Sequence, residues 1–191
     1  PPWMLDERLA ELLPDLHRLL VPDGAGGTSH GAAAADAVIA AVTGTATAAV
    51  ATPGYLTDLD ARVGPGQTTA VVVAVRGGVI TGASVGDSGA WLITDADVID
   101  LTSAQGRKPL LGAGARATAI TAARLDRGTL VVGSDGLFRY ADPADLARVA
   151  RGPDLAAAAA ALIALVRLPS GALADDVAVV LCRAASPISA A

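Results

Sequence analysis

The chain has one cysteine, Cys182, two histidines, His17 and His30, and 3% aromatic residues in 191 positions. A lone cysteine excludes an internal disulfide and any cysteine-rich zinc site. It lies in an apolar run, so it reads as core filler rather than as a nucleophile beside a basic loop. Two histidines leave little material for a serine–histidine mechanism. The scarcity of aromatics removes the stacking platforms that bind single-stranded nucleic acid. It also requires a core built from Ala, Val, Leu and Ile. Basic residues are outnumbered by acidic ones, and the formal charge of −5 gives no footprint for nucleic acid or an acidic lipid surface.

Long apolar runs are missing too. The two most apolar windows are Ala32 to Ala51 and Leu155 to Leu168. Asp36 and several Thr and Gly residues interrupt the first, and the second is too short to cross a bilayer. Both predict Ala-rich core helices. The start, Pro1-Pro2-Trp3-Met4, lacks a basic region followed by an apolar one, so no signal peptide is expected. With a single free cysteine, this fits a cytoplasmic protein.

What is present is a large apolar fraction, 52%, with only 17% charged residues. This composition predicts one globular domain over 1–191. The leucines from Leu9 to Leu20 recur at helical spacing but are broken by Pro14, which predicts a short helix over about 6–13 and then a strand through Leu19-Leu20-Val21. A Gly-rich loop from Asp23 to Gly31 opens a helix over about 32–42, and residues 43–66 read as a Gly-, Pro- and Thr-rich link. From Thr68 to Ile93 the β-branched runs and the Arg76-Gly77-Gly78 turn predict an antiparallel meander. Residues 95–100 predict a turn and short strand. The segment 102–115, with Arg107 and Lys108, reads as a solvated loop. Thr118 to Leu125 and Thr129 to Val132 predict another strand pair about Asp126-Arg127-Gly128. Asp142-Pro143 predicts a helix start, Leu155 to Val166 a second Ala-rich helix, and Val177 to Cys182 the last strand.

Acidic residues recur where apolar strands end: Asp23, Asp87, Asp135 and the pair Asp175-Asp176. An acid at the end of a buried strand is costly unless it is paired or ligates a metal, although Asp-Gly after a strand is also a common turn. If the strands lie side by side, the carboxylates meet at one rim. A carboxylate cluster poor in His and Cys suits hard cations such as magnesium or manganese. Two such ions can generate hydroxide and clamp a phosphoryl group.

The ordered set Asp23-Gly24-x-Gly26-Gly27, Gly66-x-Thr68-Thr69-Ala70, Val85-Gly86-Asp87-Ser88, Ser134-Asp135-Gly136-Leu137 and Asp175-Asp176-Val177-Ala178-Val179 resembles the metal-dependent protein phosphatases (protein phosphatase 2C), in particular minimal bacterial members. The resemblance spans about residues 21–181. It implies an α+β fold, a four-layer αββα sandwich of two antiparallel sheets flanked by helices. It implies hydrolysis of phosphoserine and phosphothreonine in a phosphorylated protein substrate by a hydroxide held between two Mn2+ or Mg2+ ions. Asp23 would bridge the ions, the Gly24 carbonyl would bind one, and Asp135 and Asp175 would complete the other's shell. Asp87 matches the position of a third, weaker ion, and Asp176 stands where the family often has Asn.

The chain departs from the family pattern in three places. Only Asp6, Glu7 or Arg8 can stand in for an early acid and a phosphate-binding Arg, so the N-terminal strand is missing or altered. Ala25 replaces a His proposed as general acid in eukaryotic members. The segment between Asp87 and Asp135 is short, implying a reduced flap. Three readings follow: an active serine/threonine phosphatase, a pseudophosphatase that binds a phosphoprotein or partner without turnover, and a small-molecule phosphohydrolase.

Overall fold

The computed structural model describes residues 16–25 and 29–184. The helix expected over 6–13 lies outside the described residues, and Asp6, Glu7 and Arg8 with it. The strands are β1 (Leu16–Gly24), β2 (Thr68–Arg76), β3 (Val79–Val85), β4 (Gly89–Ile93), β5 (Val98–Asp100), β6 (Thr118–Ala119), β7 (Ala123–Arg124), β8 (Thr129–Gly133) and β9 (Val179–Arg183). The helices are α1 (Ser29–Thr43), α2 (Thr47–Val50), α3 (Pro53–Leu59), α4 (Asp135–Phe138), α5 (Pro143–Ala150) and α6 (Leu155–Leu165), with a 3-10 turn at Asp60–Arg62.

Two antiparallel sheets form. In one, β1, β2 and β3 are neighbours, and β6 and β7 both pair with the remaining edge of β3. Among the described residues β1 is an edge strand, where Pro22 can dispense with one N–H. The other sheet has the order β5-β4-β8-β9.

The layers follow from the alternation of side chains along a strand. Ala70, Val72 and Ala74 of β2 pack against Ala34, Val38 and Val42 of α1. Their neighbours Val71, Val73 and Val75 face the second sheet and meet Leu92 of β4 and Leu130 and Val132 of β8. On the far side, Val131 joins Leu146 of α5 and Leu162 of α6. Helices, sheet, sheet and helices thus stack as four layers. A strand covered on both faces reads as one continuous apolar run, which is why β2 shows no polar alternation. Complete burial of each Val or Leu contributes about 1.5–3 kcal/mol, so many aliphatic contacts replace the missing aromatic ones.

Four expectations are corrected. The meander ends at β3: the chain leaves the first sheet at Gly86 (φ 93°), and β4 belongs to the second. That positive φ favours glycine. Likewise, residues 118–125 do not pair with β8 but return to β3, because Asp126-Arg127-Gly128 carries the chain between sheets. The link 43–66 is largely helical. Thr52 accepts a hydrogen bond from Tyr55 N at 3.3 Å and Pro53 occupies the first turn, a helix start hidden inside a loop-like composition. The last strand begins at Val179, two residues later than expected.

Two anchors position the loops around the strand ends. Arg18 in β1 donates from Nη1 to the carbonyls of Val42 and Thr45 at 2.8 and 2.7 Å, placing a cation at the C-terminus of α1. Asp60 holds the segment after the 102–111 loop, accepting from Gly112 N (2.9 Å), Gly114 N (3.0 Å) and Ala115 N (2.8 Å). Replacing Asp60 with Ala leaves three N–H groups without their acceptor and should lower stability by about 1–3 kcal/mol. Urea unfolding measures that loss, and hydrogen exchange should quicken at Gly112, Gly114 and Ala115. An unchanged exchange pattern would show that Asp60 does not anchor the segment.

Candidate active site

The strand-end acids gather at one rim because hydroxyl groups join the strand ends that carry them. Asp23 closes β1 opposite Thr69. Its carbonyl accepts from Thr68 Oγ1 at 2.9 Å. The Thr69 and Ser88 hydroxyls share a hydrogen bond of 2.6 Å, which ties the β1–β2 end to the turn carrying Asp87. Ser134, just before Asp135, donates from Oγ to the Asp176 carbonyl (3.1 Å) and accepts from Ala178 N (3.0 Å). Its N–H also donates to the Ala178 carbonyl at 3.0 Å. The segment holding Asp175 and Asp176 is thereby fixed against the start of α4. All four hydroxyl residues are buried.

Glycines permit the close approach of these segments. A Cβ on Gly24 would overlap the Gly31 carbonyl, and one on Gly136 would overlap the Asp176 carbonyl. Phe138 stacks on Trp91 with ring centroids 4.7 Å apart and lies against Gly89 and Gly133.

The carboxyl groups perturb one another. Burial pushes Asp23 up to about 6, helped by the charges of Asp135, Asp175 and Asp176 and by hydrogen-bonding reach to Asp135. Burial also raises Asp135, followed by the charges of Asp87 and Asp175, while Arg139 and the Gly136 N–H oppose the rise. Asp23, Asp135 and Asp175 are thus electrostatic neighbours, with Asp176 beside Asp23 and Asp87 beside Asp135. Among the described residues, however, no group of three or more His, Cys, Asp or Glu side chains is already closed around a common point. Asp175 also turns one oxygen to its neighbour, Asp175 Oδ1 accepting from Asp176 N at 3.0 Å.

Asp87 has a partner that the loop reading of Arg107 did not anticipate. Arg107 donates to Asp87 Oδ2 from Nη2 at 3.0 Å and from Nε at 3.3 Å. The guanidinium is 71% exposed, so the pair contributes about 1 kcal/mol at most and is easily released. Gln105 steadies the same loop, its Nε2 donating to the Ser88 carbonyl at 2.7 Å. Thr69, Ser88 and Ser134 lie inside the motifs read from the sequence. Small hydroxyls next to the acids were the available signal for their positioning role, whereas no local pattern pairs Arg107 with Asp87.

The donor set fits a hard divalent cation. It offers carboxylate oxygens and no soft ligand, and the raised Asp23 is a carboxylate short of countercharge.

No protein-family model matches the sequence, and no curated protein matches it significantly. Solved structures do. The catalytic domain of the serine/threonine phosphatase PstP of Mycobacterium tuberculosis, in complex with two manganese ions, is 23% identical, with TM-score 0.69 over 86% of each chain. The phosphatase Stp1 of Staphylococcus aureus is 18% identical, with TM-score 0.63 over 78% of this chain and 77% of its own. PppA, a regulatory component of T6SS in Pseudomonas aeruginosa, is 20% identical, with TM-score 0.62 over 78% of each. The chain has the protein phosphatase 2C fold. That fold is the four-layer sandwich expected from the ordered motifs, and the acids at its rim lie where its strand ends meet.

The acidity of the rim has a pH consequence. Folded Asp23 keeps its proton up to about pH 6, whereas the ordinary carboxyl value is 3.8. Between those values the folded state binds more protons than the unfolded state, so Asp23 makes stability fall as pH rises. In metal-free protein, an Asp23→Asn variant should lose this decline. Thermal melts from pH 4 to 7 compare the two, and parallel curves would overturn the assignment.

Proposed function

We propose that this chain is a single-domain, metal-dependent serine/threonine protein phosphatase. What supports the reading is that Asp23 senses Asp135 and both sense Asp175, at strand ends of a protein phosphatase 2C fold. The PstP structure with two manganese ions supports manganese as the metal, and magnesium has the same ligand preference. Asp23, Asp135 and Asp175 would hold two ions with the Gly24 carbonyl. Asp87 would take a third after releasing Arg107. When bound, such cations activate water and neutralise charge on a phosphoryl group.

The chain's own residues prepare the site. The Thr68, Thr69, Ser88 and Ser134 bonds hold like charges together before any ligand arrives, so little reorganisation is needed. Raised proton affinity at Asp23 means that its carboxylate is most available above about pH 6. That no three-acid cage is ready-made among the described residues favours a second reading, a pseudophosphatase that binds phosphoprotein without turnover.

Hydrolysis of p-nitrophenyl phosphate and of a phosphothreonine peptide separates the two. The phosphatase reading expects turnover with Mn2+, loss on chelation, and a decrease on the order of 100-fold or more in Asp135→Asn, since even outer-shell metal partners matter 10–100-fold. Peptide binding without metal-dependent turnover would replace it with the pseudophosphatase reading.

A further inference from the structure

An open cleft of about 520 Å3 adjoins the rim, lined by Ala25, His30, Gly31, Pro65, Gly66, Gln67 and Lys108. Its volume falls in the range of small-ligand sites, about 300–1,000 Å3. Ala25 lies two residues beyond Asp23, and Gly31 packs against Gly24. Lys108 follows Arg107, the residue that reaches Asp87. The cleft is therefore tied to the carboxylates on two sides.

Its charge is opposite to its surroundings. Among the described residues no acid lines it, although the chain carries −5 overall and the adjoining rim is acidic. The Lys108 ammonium is exposed and makes no ion pair or hydrogen bond among the described residues. The neighbouring Arg107 pairs with Asp87, whereas Lys108 is the cation among the described residues that line the cleft. His30 and Gln67 add polar groups, and both are exposed.

Building on the phosphatase reading, we propose that this cleft is a specificity subsite for an acidic side chain flanking the phosphorylated residue, with Lys108 as its cation. The phosphoryl group belongs at the carboxylate rim with the cations, so the next residues of the peptide run into the cleft. An acidic flank meets Lys108 there, and a basic flank meets it as a like charge. The cleft offsets the repulsion that a chain of net negative charge exerts on an acidic peptide.

The test uses the Mn2+-loaded chain and three phosphothreonine peptides that differ only in flanking Glu, Ala or Lys. The Glu-flanked peptide should exceed the Ala-flanked one in kcat/KM by about fivefold, as one exposed ion pair allows. Lys108→Glu should reverse the order, so that the Lys-flanked peptide is preferred. Equal kcat/KM for all three in wild type, or an order unchanged in Lys108→Glu, would overturn the subsite. Turnover of p-nitrophenyl phosphate by wild type tests the phosphatase reading separately. If that turnover is absent, fluorescence anisotropy of the same peptides replaces kinetics: Glu-selective binding lost in Lys108→Glu sustains the subsite, and indiscriminate binding ends it.

Discussion

Like charges held together govern this molecule. Asp23, Asp135 and Asp175 are kept close enough for burial and mutual repulsion to raise the proton affinity of Asp23 to about 6. Such a cluster opposes folding, and the surrounding structure has to absorb that cost. It does so chiefly with backbone geometry. Thr68, Thr69, Ser88 and Ser134 bind the strand ends to one another, and glycines at 24, 31 and 136 allow main chains to approach where a Cβ would collide. Arg107 and Arg139 offset part of the charge, each from one side.

The sandwich that carries this cluster is built almost without aromatic side chains. Two sheets and two helical layers bury both faces of β2 and β8, so short aliphatic residues fill three packed interlayers. Ala on α1 and α6 lets the helices lie close to the sheets. Rigidity of this frame matters for function, because close-packed layers transmit the position of one strand end to the next. Among the described residues the Trp91–Phe138 contact joins β4 to α4, the helix that Asp135 begins.

The loop between β5 and β6 connects the acid rim with the outside. It is anchored by Asp60 at one end and by Gln105 near Ser88 at the other. Between these anchors it offers two cations with different fates. Arg107 is drawn to Asp87, and Lys108 remains open to the cleft beside Gly24. One loop thus supplies both a charge partner for Asp87 and a cation to the neighbouring cleft.

Much of this was legible in the sequence. β-Branched runs disclosed β2, β3, β4 and β8, because strands buried on both faces leave few alternatives. The ordered acid motifs disclosed the fold through their resemblance to the protein phosphatase 2C family. Asp142-Pro143 marked the start of α5, where Asp142 Oδ1 accepts from Ala144 N and Asp145 N. Other features depended on distance in the chain. Sheet membership of β4, β6, β7 and β8 turned on where the chain crosses between layers, which periodicity does not encode. Helices α2 and α3 were masked by a Gly-, Pro- and Thr-rich composition that tertiary packing of Leu56 and Leu59 overrides. The pairs Arg107–Asp87 and Asp60 with Gly112 span 20 and 52 residues. By itself the sequence determined which residues are acidic, apolar or small at each strand end. Only the tertiary structure decided which of those ends meet and that Arg107 pairs with Asp87, because proximity across layers is set by packing and not by spacing.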